Sequence, residues 1–419
     1  MQALGCSWSR WYADDGHVAG SWEVIRKAFD LLCRELPRPG LTLNVQKCCI
    51  LTLRAFPAHV AAASPVPVRS WQQGIKSLGV PIGDDRVVHE CLNDKLGKLD
   101  GFFQRLDALD DTHSQLLLRH CLGACRVGYL MRALRFDHAR SLAERAAALI
   151  VRSIQAIAKW SCSPAQLLLA SCPTRAGGLG IRDPTLELPG AAIGSVLSYL
   201  IQEMDAPVAS FLSHPQLLKA AGYLQERWNL TLPVLESWES LRSHSLSSRV
   251  PEEACKEKFW SGPVMEQLLL RWDESAPARL RVIRAACKDH VDVFAARPPA
   301  GDGLRLTSRQ WRLFLQYRLA IPFHNKDVVP CRGCGSPVDT FGDHALMCPR
   351  LGMYSRHNHL RNTLAELLRS YGFSARLEAS PTASQERPAD VLVCGVLDIP
   401  DAVDVSFSRP ASDHLHGGT

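Results

Sequence analysis

The sequence predicts an α+β chain that is mainly helical, with β-rich segments near its two ends. Three observations lead there. Apolar residues recur at helical spacing for about a hundred residues beyond Asp84 and again over 186–294. Short runs of strand-forming residues gather instead within 8–82 and within 373–407. Pro-, Gly- and Ser-rich stretches separate these blocks. At 419 residues with 46% hydrophobic and 21% charged side chains, the chain has material for a substantial core and for more than one domain. No apolar run reaches the roughly 18 residues that would span a bilayer, and the longest, 191–201, is broken by Gly194 and Ser195. Residues 1–11 lack the basic flank, apolar stretch and cleavage site of a secretory signal. The 15 cysteines are scattered, as in proteins of reducing compartments whose thiols stay free or bind metal. A net charge of +6 permits a polyanionic partner without demanding one.

In chain order, residues 8–12 and 17–19 flank Asp14-Asp15-Gly16, a hairpin signal because the turn needs residues that tolerate positive φ. An amphipathic helix is expected over 22–36, ended by Pro37 and Pro39. Residues 41–53 look extended, and a further strand is expected near 75–82. Thr112 and Gln115 form a capping-box pattern ahead of Leu116, Leu117, Cys121, Leu122 and Cys125. Leu142, Ala146, Leu149, Ile150, Ile154 and Ile157 then mark one helical face. On the opposite side Arg145, Arg152 and Lys159 recur every seven residues, either as a line that tracks phosphates or as an ordinary solvated face. Gly177-Gly178-Leu179-Gly180 closes this block, 240–248 reads as a connector, and 297–303 is the clearest linker, after which a separate module is expected.

Two constellations carry chemistry. Tyr12-Ala13-Asp14-Asp15 puts adjacent carboxylates on a tight hairpin, where Mg²⁺ takes one or two carboxylates plus substrate phosphate oxygens. Two such ions can activate a hydroxyl and stabilise the leaving oxygen of an in-line phosphoryl transfer; an ordinary turn needs the same residues. Further on, Cys331-x2-Cys334-x9-His344-x3-Cys348 offers two thiolates on a knuckle and a His and Cys one helical turn apart, the donor set of a closed, structural zinc site. With 15 Cys and 15 His in the chain, chance proximity is the competing explanation. The basic residues Arg350, Arg356, His357, His359 and Arg361 follow at once, as a phosphate-contact surface or as the start of a surface helix. Two later β-rich runs carry Asp390 and Asp404, which on neighbouring strands could hold a metal that activates water.

Taken together, Tyr12-Ala13-Asp14-Asp15, a helix, Gly40-Leu41-Thr42-Leu43-Asn44 with Lys47-Cys48, and Leu78-Gly79-Val80-Pro81-Ile82-Gly83 resemble, in order, the palm of a reverse transcriptase. Gly177-Gly178-Leu179-Gly180-Ile181-Arg182 resembles a downstream segment of non-LTR retrotransposon proteins. The knuckle with Gly342-Asp343-His344, the Arg356-His357-Asn358 segment and the later acids resemble the zinc knuckle and restriction-like endonuclease at the C-terminal end of the site-specific members. The resemblance implies a palm remnant over 1–85, a helical thumb over 86–186, a helical connector over 187–297, a zinc knuckle region over 304–359 and a partial restriction-like nuclease over 360–419.

It further implies Asp14 and Asp15 as the polymerase metal pair, Tyr12 and Lys47 beside nucleic acid and nucleotide, and Arg356 and His357 on nucleic acid. Asp390 and Asp404 become nuclease acids, with Glu366 a further candidate. Cys331, Cys334, His344 and Cys348 become zinc ligands. The implied cofactors are Mg²⁺ and Zn²⁺, the implied partners an RNA template and a DNA target or primer, and the implied location the nucleus, all for a protein that nicks DNA and primes reverse transcription there. The chain departs from that pattern in three ways. Only eleven residues precede Tyr12, so the third palm carboxylate is expected to be missing. Ala389 separates Pro388 from Asp390. Ser406 and Ser408 stand where a lysine follows the second nuclease acid. The isolated chain is therefore expected not to polymerise DNA. The alternative is a zinc-dependent nucleic-acid-binding protein without catalysis.

Overall fold

A computed structural model describes residues 6–12, 15–106, 108–109, 123–201, 207–238, 240, 243, 246, 250–287, 307–324, 329–379, 389–394 and 401–403. The capping-box pattern at 112–115, the linker 297–303, Asp14 and Asp404 lie outside them, as does most of the connector 240–248. The described chain is mainly helical with small sheets, in keeping with an α+β class. No described helix is long and apolar enough to cross a membrane.

The N-terminal part is a set of separate two-stranded sheets. β1 (Trp8–Tyr12) pairs antiparallel with β2 (Asp15–Ala19), in a register from Trp8↔Ala19 to Tyr12↔Asp15. Asp15 and Gly16 thus lie on the second strand, not in the turn as the Asp-Gly signal suggested. The reason is packing: Trp11 is the cross-strand partner of Gly16, and a Cβ there would meet the Trp11 ring at 2.3 Å. α1 (Trp22–Glu35) follows, with the Ser21 hydroxyl accepting from the Val24 N–H.

The 41–53 stretch is less extended than expected. It contains a tight 3₁₀ turn, Val45–Lys47, and only β3 (Ile50–Thr52), which runs parallel to β4 (Val68–Ser70) across the short α2 (Ala58–Ala62). The expected strand near 75–82 is a hairpin of β5 (Ile75–Ser77) and β6 (Val80–Ile82). Leu78 and Gly79 both take positive φ, 47° and 82°, as a two-residue turn matching strand twist requires.

The helical body holds α3 (Asp85–Leu106), α4 (Cys125–Ala133), α5 (Phe136–Ala158), α6 (Pro164–Ser171), α7 (Pro184–Tyr199), α8 (Val208–Leu212), α9 (Pro215–Trp228), α10 (Pro233–Trp238), α11 (Glu257–Ser275), α12 (Ala278–Cys287) and α13 (Ser308–Arg318). At its centre α7 is buried on nearly every side and packs against α4, α5, α9 and α11. Gly190 and Gly194 make the approach to α11 possible: Cβ atoms there would stand 2.7 Å from the Glu257 carbonyl and 2.8 Å from the Cys255 carbonyl. On α5 the expected stripe is buried at Leu142, Ala146, Ile150, Ile154 and Ile157.

The line of basic residues on α5 belongs to the fold. Arg145 donates to Asn93 at 2.7 Å and Arg152 pairs with Asp100, both on α3, while Lys159 takes φ 52° to end the helix. α7 runs across the expected thumb–connector boundary at 186–187, and residues on both sides of it join one core. Residues beyond the boundary expected at 304 also contribute to it. Trp311, Leu315, Leu319 and Ile321 join that same core. Gln166 also donates to the Leu319 carbonyl at 2.8 Å and Arg318 to the Gly177 carbonyl at 3.0 Å.

Beyond this body come β7 (Val329–Pro330), β8 (Pro337–Val338) and α14 (Asp343–Met347). The long α15 (Met353–Ser370) leads to β9 (Ser374–Ala379), β10 (Ala389–Cys394) and β11 (Asp401–Val403), antiparallel neighbours in the order β11-β10-β9. Ala365 of α15 closes a second, small core with Ala375, Val391 and Val393.

Burial in the large core has a pH consequence. Glu187, on the first turns of α7, is desolvated so strongly that its pKa rises from 4.5 to about 8 despite its pairing with Arg182. Arg182 is shared with Glu257, 3.1 Å away, whose pKa burial also raises. The folded chain then binds more protons than the unfolded chain between the two Glu187 values, and stability falls as pH rises through that window. The denaturant midpoint is expected to drop between about pH 5 and about pH 9, and Glu187→Gln to flatten part of that slope; an equal slope in the variant refutes the assignment.

Candidate metal centre

β7 and β8 pair as Val329↔Val338 and Pro330↔Pro337, and the knuckle between them carries Cys331 and Cys334. The Cys331 N–H donates to the Ser336 carbonyl and the Gly335 N–H to the Cys331 carbonyl, each at 2.8 Å. Gly335 takes φ 80°, a conformation open to glycine without strain. The other two donors come from α14, with His344 in its first turn and Cys348 at its end.

The four donor atoms of Cys331, Cys334, His344 and Cys348 lie within 4.8 Å of one another, and they are the one group of three or more Cys, His, Asp and Glu with such geometry among the described residues. The Cys331 and Cys348 sulfurs are 3.7 Å apart, and Cys334 Sγ stands 3.2 Å from His344 Nε2. The first distance is far too long for a disulfide, at about 2.05 Å. It is close to the edge of a tetrahedron with Zn–S bonds of about 2.3 Å. Three sulfurs and one imidazole nitrogen form a complete donor set with no open position, which fits structural zinc rather than a catalytic ion.

Electrostatics around the two knuckle cysteines favour the thiolates a metal needs, whereas Cys348 and His344 are shifted the other way. The hydroxyl and backbone N–H of Ser336 hold the Cys334 thiol down, to about 6. The backbone N–H of Cys334, with that of Gly333, lowers Cys331. Burial raises Cys348, and hydrogen bonds with Cys331 and Cys334 raise His344. A bound cation reverses those last two directions by favouring thiolate and neutral imidazole.

The loop that delivers His344 is held from several sides. Burial opposes the Asp339 charge, but backbone N–H groups of His344, Asp343 and Phe341 outweigh it and keep that carboxyl low. Its oxygens accept from His344 at 2.8 Å and from Phe341 at 3.0 Å. Arg356, expected on nucleic acid, is half-buried, and its guanidinium donates to the Leu351 carbonyl at 2.8 Å and the Leu346 carbonyl at 2.5 Å. Arg356 thereby pins the C-terminal end of α14 to α15, beside a shallow groove of about 430 Å³ lined also by Ser355, His359 and Leu360.

The remaining expected residues are dispersed. Tyr12 closes β1 and Asp15 opens β2 as its register partner, exposed and outside any three-ligand group among the described residues. Lys47 is exposed at the end of its 3₁₀ turn. Asp390 lies on β10, where His357 Nε2 stands 3.3 Å from its carboxylate, so two residues expected to act separately form a pair. Glu366 is exposed on α15. Sequence reasoning missed Asp339 and Arg356 as supports of the site, because their partners are backbone groups that carry no sequence signature. No known protein family, curated protein or solved structure matches the chain.

Protein purified without chelator is expected to carry one zinc per chain by elemental analysis, falling towards zero in Cys331→Ser and Cys348→Ser. A wild-type content near zero removes the site.

Proposed function

We propose that the chain is a zinc-stabilised, nucleic-acid-binding part of a non-LTR retroelement reverse transcriptase and endonuclease, a protein of target-primed reverse transcription. The observation that carries this reading is the closed Cys331, Cys334, His344 and Cys348 group, which leads straight into α15. The hairpin that ends in Tyr12 and Asp15, the turn at Lys47 and the Leu78-Gly79 hairpin stand upstream in the order of the resemblance. On this reading RNA and DNA are the partners and the nucleus is the place of action. Mg²⁺ belongs to Asp14 and Asp15, and to Asp390 and Asp404, in the whole protein.

A non-catalytic role for this chain by itself is the second reading. Two observations favour it: β1 and β2 pair with no third strand among the described residues, and Asp390 already has the His357 imidazole against it. A palm centre needs a further carboxylate beside its acidic pair to hold two ions.

The two readings share a binding prediction. Affinity for single-stranded RNA and for duplex DNA is expected to fall steeply with salt, log K decreasing linearly with log salt. Binding that ignores salt removes both. Primer extension on a primed RNA template is expected to stay at the level of an Asp14→Asn, Asp15→Asn control; extension above it establishes the polymerase. Metal-dependent nicking lost in Asp390→Ala does the same for the nuclease.

A further inference from the structure

The helical body reaches the metal centre through a buried ion pair. Arg279, on α12, forms a two-pronged pair with Asp343, Nη1 to Oδ2 at 2.5 Å and Nη2 to Oδ1 at 2.8 Å. Both side chains are nearly buried, at 13% and 10% exposure. The guanidinium lies 4.2 Å from the centre of the Phe341 ring and 5.5 Å from that of Tyr317 on α13. Asp343 is the residue immediately before the ligand His344. Two further ties reach the same loop: the Phe323 N–H donates to the Thr340 carbonyl at 2.8 Å, and the Phe323 ring lies where a Cβ on Gly342 would stand, at 3.0 Å. The His344 loop is therefore shaped as much by residues 279 and 323 as by the knuckle.

We propose that Arg279 is a positioning residue of the metal centre: through Asp343 it sets His344 where the three sulfurs can share an ion, so metal affinity and the packing of α12 and α13 are thermodynamically coupled. The inference rests on the cluster binding zinc. The physical basis is general. Residues that orient ligands without touching the ion typically change affinity by about 10- to 100-fold when altered. A buried guanidinium facing a carboxylate with two N–H donors fixes direction as well as distance, which an ammonium does not. Coupling of this kind is reciprocal, so the ion must tighten α12 if α12 tightens the ion.

The test uses the full chain and Zn²⁺ as the probe, with affinity measured by competition against a chromophoric chelator and Co²⁺ spectra reporting ligand geometry. Arg279→Lys keeps the charge and is expected to bind Zn²⁺ about tenfold or more weakly, with a changed Co²⁺ band. Arg281→Lys, exposed on the same helix, is expected to match wild type. In the wild-type chain, metal removal is expected to lower hydrogen-exchange protection across 278–287. Zinc bound as tightly by Arg279→Lys as by wild type, or protection over 278–287 indifferent to metal, overturns the proposal while leaving the metal site standing. A wild-type chain that holds no zinc instead ends the reading beneath it. If Arg279→Lys proves unfolded, the exchange experiment on wild type decides alone.

Discussion

The Arg279–Asp343 pair is the joint on which the described architecture turns. It joins a large helical core to a small Cys- and His-bearing loop system that has little apolar surface of its own to bury. Stripping one partner from such a pair leaves a desolvated charge, at a cost of about 3–5 kcal/mol, so the joint constrains geometry whatever its net contribution to stability. The aromatic rings of Phe341 and Tyr317 wall it off from water and strengthen its electrostatics. From that fixed point Asp339 arranges the backbone of the His344 turn and Arg356 clasps its far end. The cluster is thus held between the helical body on one side and α15 on the other.

A similar logic runs through the helical body. The all-round burial of α7 demands close neighbours, and Gly190 and Gly194 supply the space for α11 to approach. Polar side chains then stitch distant segments together through backbone carbonyls, Gln166 to Leu319 and Arg318 to Gly177 among them. The Gly177-Gly178-Leu179-Gly180 turn, which sequence alone left as a family marker, has a packing role: a Cβ on Gly177 would stand 2.3 Å from the Arg284 carbonyl and one on Gly178 2.2 Å from that of Cys172. The N-terminal part lacks this reinforcement. Among its described aliphatic and aromatic side chains only Ala28, Val66 and Pro81 are buried, although α1 is strongly amphipathic.

Charged residues show where pattern and function part company. Arg145 and Arg152 repeat along α5 as a phosphate-tracking line does, yet both are engaged by α3. Arg356 sits in a basic run next to the knuckle, yet its guanidinium donates to the Leu346 carbonyl of α14 and to the Leu351 carbonyl just after Cys348. A basic residue in a helix has two calls on its donors, an external phosphate and an unsatisfied internal acceptor, and one-dimensional spacing does not distinguish them.

What the amino-acid order determined is local. Residues 22–35 became a helix because Ser21 caps them and Pro37 follows, the α5 stripe was buried because its period matches 3.6, and the four ligands were legible because a knuckle and one helical turn are short-range geometries. Tertiary structure decided what distance along the chain conceals. It set Arg279 on Asp343 across 64 residues and His357 on Asp390 across 33. It carried α13 into the core beyond a segment that punctuates like a boundary, and it moved Asp15 and Gly16 from turn to strand. Each of these outcomes follows from which surfaces meet once helices pack, a property of volumes and unsatisfied groups in three dimensions rather than of any window of sequence.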